Sequence, residues 1–455
     1  MKFLMIFTAI LILSCSEDKN VNAVEDIETR NVAVNLDTPW EILWGPDDMI
    51  WMTERFGRVS KVDPETGEVE VIMNIEDVDE IGEGGLMGMV LHPDFENTPH
   101  VFLTHTYLDG EDAIIRLVRY TYNGTSLIDQ NVIIDNIKGA FIHDGSRLWI
   151  DEDMKLYMTI GDGAVKSRSQ DNSNLNGTVL RMNLDGSVPD DNPIEGNLIY
   201  AYGLRNSQGL VFAKNNIYVS DHGPDTDDEV NLIKPGRNYG WPQVRGFCDT
   251  PNEEDFCNEH NVAEPMKAWT PTLAVAGLDY YESGQIEDFN NSLLLMTLKA
   301  SRLVRLKLNE DGSEIIDEKQ YYTNEYGRLR DLCISPDGKV FIATSNQDGR
   351  GNPADVDDRI IELKAAETSV QDEEGGKIMI YPNPSSDRFN FTFPETYSNI
   401  DIKLFDNLGT EIIHKNYKNK NSLMLDLSKI TYSGVLTALI TTGSKQITKK
   451  LMLIE

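Results

Sequence analysis

Residues 201–242 gather side chains suited to a charged ligand and a hard cation. In order along the chain, this segment contains Arg205 and Asn206, Gly223 and Pro224, the acidic residues 227–229, and Trp241. Arginine offers a planar fork of donors that fits carboxylates, whereas calcium prefers carboxylate and carbonyl oxygens. The segment therefore predicts a site where an anionic cofactor meets an oxygen-liganded cation.

The overall composition limits the classes of partner. The chain has 455 residues, a formal net charge of −34 and 40% hydrophobic residues. A polyanion is repelled by nucleic acid and by anionic membrane surfaces, so neither is expected as a partner. The hydrophobic content is ample for a folded core.

Residues 30–365 repeat one local pattern, in which an apolar strand meets a polar turn and an alternating strand follows. Examples are ILWGPDDMIWMTER, LWIDEDMKLYMTIGDG, LVFAKNNIYVSDHG and DLCISPDGKVFIATSN. With their flanking strands, these hairpins make about six units of roughly 50 residues, a pattern typical of a six-bladed β-propeller. The polar hairpin ends are expected at one mouth of the central channel, where binding residues belong.

The composition changes after Ala365. Residues 366–377 are polar, acidic and glycine-bearing, which predicts a linker. Residues 378–455 alternate apolar and polar residues around a DNLG turn and predict a small β-sandwich. The fold class expected for the whole chain is therefore all-β.

Several motifs together resemble the soluble PQQ-dependent sugar (glucose/sorbosone) dehydrogenases. They are TERFGRVSKVDPETG, GEGGLMGMVLHPDF, YGLRNSQGL, DHGPDTDDEVNL and RNYGWP, and the resemblance spans about residues 35–363. It implies oxidation of an aldose hydroxyl to a lactone with PQQ and calcium as cofactors. It also implies an external electron acceptor that reoxidises the cofactor.

The resemblance assigns roles to individual residues. His143, in IHDGSRLWID, matches the catalytic base, a task that an imidazole can perform near neutral pH. Asp162 matches an acidic residue that orients the base, with a simple turn aspartate as the alternative. Arg205 would polarise the quinone together with calcium. The expected cofactor-binding residues are Glu83, Arg205, Asn206, Lys299, Arg328 and Arg330; relatives often have Gln at the place of Glu83.

The metal site implied by the resemblance uses backbone carbonyls. Those carbonyls belong to Gly223 and Pro224. Asp227, Asp228 and Glu229 are candidates either for a further structural calcium site or for capping the turn. Trp241 is expected to pack rather than to bind sugar.

The cysteines and the two ends of the chain indicate export. Cys248 and Cys257 lie in one loop, where an exported protein is expected to form a disulfide, with two free thiols as the alternative. Residues 1–15 resemble a lipoprotein signal in which Cys15 would carry the lipid, with an ordinary signal cut as the alternative. Residues 378–455 resemble the C-terminal sorting domain of the type IX secretion system, which implies that machinery as a partner and a surface or extracellular location.

Two other functions remain open for a propeller of this kind. A calcium-dependent lactone hydrolase would need carboxylate and Asn side chains around a central calcium. A non-catalytic binding propeller would keep the fold without binding PQQ. The expected combination of His143 with Arg205, Lys299, Arg328 and Arg330 distinguishes the dehydrogenase from both.

Overall fold

The computed structural model describes residues 27–282, 284–365, 378–383, 385–406, 409–443 and 445–454. The chain divides into two compact units, Met1–Ala365 and Ala366–Glu455. The predicted signal segment 1–15, with Cys15, and the predicted linker 366–377 lie outside the described residues. No helix of the described part has the length and apolar character needed to cross a membrane.

The first unit begins with strand β1 (Ile27–Ala33), which is followed by antiparallel sheets of consecutive strands. The first sheet contains β2 (Pro39–Trp44), β3 (Ile50–Glu54), β4 (Arg58–Val62) and β5 (Val69–Asn74). The second contains β6 (Leu86–Leu91), β7 (His100–Asp109), β8 (Asp112–Tyr122) and β9 (Leu127–Lys138). The third contains β10 (Leu148–Ile150), β11 (Lys155–Ile160), β12 (Thr178–Asn183) and β13 (Ile199–Tyr202).

Three more sheets complete this unit. The fourth contains β14 (Ser207–Ala213), β15 (Asn216–Asp221), β16 (Asp228–Ile233) and β17 (Lys267–Trp269). The fifth contains β18 (Val275–Tyr281), β19 (Ser292–Thr297), β20 (Arg302–Leu308) and β21 (Ile315–Tyr321). The sixth contains β22 (Leu329–Ile334), β23 (Val340–Thr344) and β24 (Ile360–Ala365), and β1 pairs with β24 as its fourth strand.

The four hairpins predicted from the sequence are confirmed as β2–β3, β10–β11, β14–β15 and β22–β23. The β14–β15 turn shows why they form. Lys214 and Asn215 both have positive φ, 51° and 60°, between the paired residues Ala213 and Asn216. A two-residue turn with positive φ at both positions matches the twist of the strands that it joins.

The apolar core of this unit lies between neighbouring sheets. Each pair of consecutive sheets shares a cluster of buried residues, for example Leu103 of the second sheet and Trp51 of the first. A further cluster joins the sixth sheet back to the first, where Phe341 packs with Ile42 and Ile50. The described sheets of the first unit therefore close into a ring.

The ring of sheets determines where the polar segments meet. Segments that precede the first strand of a sheet and segments that follow its second strand lie at the same end of antiparallel pairs. Residues 83, 143, 205–206 and 328 lie in the first kind of segment, and residues 162, 223–224, 299 and 350 in the second. These segments therefore approach one another at one end of the ring.

The loop between Cys248 and Cys257 departs from the sequence expectation because it contains a helix, α1 (Pro251–His260). Thr250 caps the helix by accepting the N–H of Glu253, and the Glu253 carboxylate accepts the hydroxyl of Thr250. No residue of α1 is buried, so the helix lacks the apolar face by which helices are recognised in a sequence. Cys248 and Cys257 form a disulfide.

The second unit contains two antiparallel sheets. One is formed by β25 (Met379–Tyr381), β26 (Arg388–Tyr397) and β29 (Lys420–Asp426). The other is formed by β28 (Glu411–Tyr417), β27 (Ile400–Phe405), β30 (Gly434–Thr442) and β31 (Lys445–Leu453). Phe389 and Phe391 of the first sheet share one buried cluster with Ile402 and Leu436 of the second.

Candidate active site

The segments at one end of the ring enclose a cavity of about 340 Å³. This volume lies within the range of small-molecule sites. The cavity is lined by nine residues that the sequence singled out: Glu83, His143, Arg205, Asn206, Gly223, Pro224, Lys299, Arg328 and Arg330. The sequence therefore located the parts of this site although they are spread over about 250 residues.

His143 and Asp162 form a buried pair at the cavity wall. Nδ1 of His143 lies 2.7 Å from Oδ1 of Asp162. Because a carboxylate can only accept, Nδ1 carries the proton and Nε2 is left as the basic nitrogen. The pair therefore has the geometry of an oriented general base, and Asp162 is not merely a turn residue.

Trp241 completes the surroundings of Asp162. Its indole Nε1 donates to Oδ2 of Asp162 over 2.9 Å, and the tryptophan is 4% exposed. The ring also lies against Arg205, whose guanidinium carbon is 5.3 Å from the ring centroid. Trp241 is thus packed, as the sequence suggested, but it also donates a hydrogen bond that the sequence did not predict.

Glu83 contacts the backbone of His143. Its Oε2 accepts the backbone N–H of His143 and the side-chain amide of Asn206, each over 3.2 Å. Its Oε1 pairs with Arg350 at 2.9 Å. Burial opposes ionisation of Glu83, but the imidazole of His222, the guanidinium of Arg350 and the N–H of His143 outweigh it and lower the pKa.

The cations of the cavity differ in how well they are neutralised. Arg328 pairs with Asp348 at 2.7 Å. Within the described part of the chain, the guanidinium of Arg205 and the ammonium of Lys299 donate only to uncharged oxygens, those of the His222 carbonyl and the Thr272 hydroxyl.

Arg330 shares the carboxylate of Asp348 with Arg328, so one carboxylate serves two guanidinium groups. Arg330 donates to Gln208 over 2.7 Å, and its nearest carboxylate, Asp348, is 3.7 Å away. Burial lowers the pKa of Arg330 to about 10, and neighbouring Arg328 and Arg55 contribute. Uncompensated buried cations favour an anionic ligand.

Three cavity residues were missed by sequence reasoning. Arg55 follows the strand end in TERFGR and donates to Glu80 and to the Gly82 carbonyl. His222 precedes the Gly223–Pro224 corner; burial and nearby cations lower its pKa to about 3, and its Nε2 has no hydrogen-bond partner in the described structure. Arg350 lies between β23 and β24. Arg55 and His222 occupy motifs quoted above, and all three residues follow the second strand of a sheet, so their position after a strand end was the available signal.

The Gly223–Pro224 corner lines the cavity, whereas the acidic run beside it points elsewhere. Asp228 accepts the backbone N–H groups of Gly223, Leu273 and Ala274 at 2.6–2.8 Å. It therefore caps the turn, one of the two roles considered for it. Asp227 accepts the hydroxyl of Thr270 over 2.8 Å.

Glu229, the last residue of the run, is buried beside Asp221. It accepts N–H groups from Asn231 and Gly246, each over 2.8 Å. Burial, with the charge of Asp221, raises its pKa to about 8. Among the described residues, no three His, Cys, Asp or Glu side chains are grouped so that they could hold a metal ion, so Asp227, Asp228 and Glu229 do not form a side-chain ligand set here.

Asp144, the residue after His143, is a buried acid outside the base pair. Oδ1 accepts the N–H of Ala140 over 2.9 Å, while Oδ2 has no partner among the described residues. Burial, with the charge of Glu83, raises the pKa of Asp144 to about 7.

The chain is similar to characterised sugar dehydrogenases over most of its length. It is 30% identical over 416 residues to quinoprotein glucose dehydrogenase B of Acinetobacter calcoaceticus, covering 71% of this chain and 86% of that protein. It is 27% identical over 344 residues to aldose sugar dehydrogenase YliI of Escherichia coli K12, covering 70% and 91%. The solved PQQ-bound form of aldose sugar dehydrogenase from Streptomyces coelicolor matches with a TM-score of 0.66 at 31% identity, covering 75% and 98%.

Two family models match consecutive parts of the chain, in the order that the two resemblances predicted. Residues 379–455 match the secretion system C-terminal sorting domain, which points to export. Residues 36–353 match glucose/sorbosone dehydrogenase. Both resemblances drawn from the sequence are confirmed, and the chain belongs to the glucose/sorbosone dehydrogenase family.

Proposed function

We propose that this protein is an exported PQQ- and calcium-dependent dehydrogenase that oxidises an aldose hydroxyl to a lactone. The observation that carries the proposal is one cavity in which the His143–Asp162 pair faces cationic side chains that outnumber their close carboxylate partners. An oriented base and an anion-binding wall are the two features that such a reaction needs from the protein.

The cavity residues fit PQQ, which carries three carboxylates and an ortho-quinone. The side chains of Arg205 and Lys299 have no carboxylate partner within the described structure. Arg328 and Arg330 share the single carboxylate of Asp348, so a further positive charge is left over. The buried Nε atoms of Arg205 and Arg330 have no hydrogen-bond partner within the described structure, which also favours an added acceptor. Asn206 and Arg328 would complete the cofactor contacts, and Glu83 lies beside them.

His143 performs the proton transfer in this proposal. Its Nε2 takes the proton of the sugar hydroxyl while the hydrogen on the same carbon leaves with its electron pair as hydride. PQQ, when bound, supplies the two-electron acceptor for that hydride. Asp162 fixes the ring tautomer and stabilises the imidazolium that forms, and Glu83 holds the backbone of the base.

Calcium would be held by the carbonyl oxygens of Gly223 and Pro224 together with the cofactor. Oxygen donors of this kind suit calcium, and both residues line the cavity. Gly223 is held in place through its N–H by Asp228, so the corner is anchored. The ion would supply charge stabilisation next to Arg205, which also has the guanidinium needed to polarise the acceptor.

The scaffold in this proposal is a six-bladed β-propeller, residues 30–365, in which each four-stranded sheet is one blade. The ring of shared apolar clusters and the pairing of β1 with β24 support this interpretation. Residues 378–455 would form a β-sandwich, supported by the core shared between their two sheets. The N-terminal strand β1 is the outermost strand of the sixth sheet, so the two ends of the unit are joined within one blade.

The sorting domain supports export through the type IX machinery to the surface or the medium. Residues 1–15 would direct passage across the inner membrane, and lipidation of Cys15 would add an outer-membrane anchor. An external acceptor must then collect the electrons outside the cytoplasm. The net charge of −34 suits a soluble exported enzyme that does not bind nucleic acid.

Dye-linked turnover of the mature chain tests the proposal. Metal-stripped protein would receive PQQ, calcium, both or neither, and each sample would be offered a panel of aldoses. Dye reduction that requires both additions supports the dehydrogenase. Hydrolysis of a lactone with calcium alone would instead establish the hydrolase alternative. A folded protein that neither binds PQQ nor turns over a substrate would establish the binding propeller.

A further inference from the structure

Trp241 contacts both the His143–Asp162 pair, through Asp162, and the cavity cation Arg205. Each oxygen of the Asp162 carboxylate is engaged. Oδ1 contacts His143 Nδ1 at 2.7 Å and accepts the N–H of Ala164 over 2.8 Å. Oδ2 accepts the indole N–H of Trp241 over 2.9 Å.

The indole is fixed by its own backbone. The N–H of Trp241 donates to the carbonyl of Gly203 over 2.9 Å, and its carbonyl accepts the amide of Gln170 over 2.7 Å. The side chain is 4% exposed. The direction of the N–H toward Asp162 is therefore set by the surrounding loop segments and not by solvent.

The face of the same ring lies against cations. The guanidinium of Arg205 is 5.3 Å from the ring centroid, Lys166 is at 5.4 Å and Arg245 at 5.8 Å. Such contacts favour a cation over an aromatic face. The guanidinium of Arg205 has no carboxylate within ion-pair distance among the described side chains, so the ring and the His222 carbonyl are the contacts that support its position at the cavity.

We infer that Trp241 is a positioning residue that adjusts the basicity of His143 through Asp162 and holds Arg205 for the anionic cofactor. The inference rests on the proposed function, in which His143 is the base and Arg205 binds PQQ. The two roles belong to different parts of one side chain, the N–H and the ring face. They can therefore be separated by substitution.

Trp241→Phe removes the N–H and keeps an aromatic face. Oδ2 of Asp162 then loses its buried donor, so the carboxylate becomes a stronger acceptor for the Nδ1 proton of His143 and stabilises the imidazolium more. The acidic limb of kcat/KM against pH is expected to move to higher pH. The other titratable groups that face His143 are Glu83 and His222, and both are unchanged in this variant.

Trp241→Leu removes the ring as well. Arg205 then loses its aromatic contact, and PQQ affinity is expected to fall by about fivefold or more. In Trp241→Phe the affinity is expected to stay within about twofold, because the face remains. Trp149→Phe is the matched control, since Trp149 stacks on Phe212 and does not line the cavity.

Two of the readouts need no turnover. In the PQQ-free protein, proton NMR would follow the Nδ1–H resonance of His143, which should move downfield in Trp241→Phe and stay in place in Trp149→Phe. A PQQ titration would give the affinity of each variant. An unmoved resonance and an unmoved acidic limb in Trp241→Phe would overturn the inference, and so would equal PQQ affinities in Trp241→Phe and Trp241→Leu.

Failure of the proposed function would look different. Full turnover in His143→Ala would remove the base assignment, while the NMR resonance and the titration would still report whether Trp241 acts on Asp162 and Arg205. If Trp241→Leu does not fold, as judged by circular dichroism, the resonance in Trp241→Phe alone decides the N–H role.

Discussion

Glu83 holds the backbone of His143. Its Oε2 accepts the His143 N–H over 3.2 Å at a residue whose φ is +71°. A non-glycine residue in the left-handed region needs support from its surroundings. The carboxylate supplies that support and also accepts the amide of Asn206.

Glu83→Ala should therefore lower kcat by about tenfold or more. It removes one charge-assisted hydrogen bond, and with it about 1.5–3 kcal/mol of the interaction energy that holds the backbone of His143 in place. Glu83→Gln should be milder, since its carbonyl oxygen can still accept the N–H of His143, although the pair with Arg350 is lost. Steady-state kinetics on the PQQ-loaded variants give the comparison. Equal kcat in both variants and the wild type would contradict the support role.

Asp162→Asn should lower kcat by about 10²- to 10⁴-fold. The neutral amide cannot stabilise the imidazolium that forms. In either orientation its NH₂ group also faces a donor, Trp241 on one side or His143 and Ala164 on the other. PQQ affinity should stay within about threefold, because Asp162 does not line the cavity.

Asp135→Asn is the matched control for this substitution, because Asp135 pairs with Tyr107 and Arg116 away from the cavity. Its kcat should equal that of the wild type. An Asp162→Asn enzyme with wild-type kcat would return Asp162 to the role of a turn residue.

Lys299→Ala should weaken PQQ binding by about 10- to 100-fold, as expected for the loss of one charge-assisted bond. The ammonium donates only to Thr272 within the described part of the protein, so it is available to an anionic ligand. Fluorescence titration at two salt concentrations measures the affinity. Lys138→Ala, at an exposed lysine paired with Asp112, should bind PQQ like the wild type, and the same loss in both variants would indicate a general charge effect.

The raised pKa of Asp144 predicts that the stability of the folded protein depends on pH. The pKa is raised to about 7 in the folded protein, so the protonated form is favoured by folding. The stabilisation is fully present below the ordinary pKa near 4 and is lost as the pH rises through 7. Its size is on the order of 4 kcal/mol at most.

Thermal melts from pH 4 to pH 8 test this prediction. The stability of Asp144→Asn should depend less on pH than that of the wild type, because the amide does not ionise. Asp112→Asn, at an exposed carboxylate, should follow the wild-type curve. If the melting temperature of the wild type instead rose from pH 5 to pH 8 relative to that of Asp144→Asn, the prediction would be contradicted.

Local patterns were enough to predict the strands and the place of the site. Hairpins such as β14–β15 depend on neighbouring residues, so their alternation and turns are visible in the sequence. Cys333 falls in the apolar strand pattern of DLCISP and is buried in β22. Polar residues at strand ends could be assigned to one cavity because a ring of sheets brings those ends together.

Long-range partners had no such local signal. Asp162 and Trp241 are 79 residues apart, and Glu83 and Arg350 meet only when the ring closes. The pairing of β1 with β24 likewise joins the two ends of the unit. Helix α1 was missed for a different reason, because its Thr250–Glu253 cap was present but no apolar face accompanied it.

The most direct measurement compares the wild type with His143→Ala after both have been loaded with PQQ and calcium. The account predicts that the variant binds PQQ within about threefold of the wild type. It also predicts that mixing with an aldose bleaches the quinone absorbance in the wild type and not, within the same time, in the variant. Equal bleaching rates in the two proteins, or no PQQ binding by the wild type, would contradict the central claim.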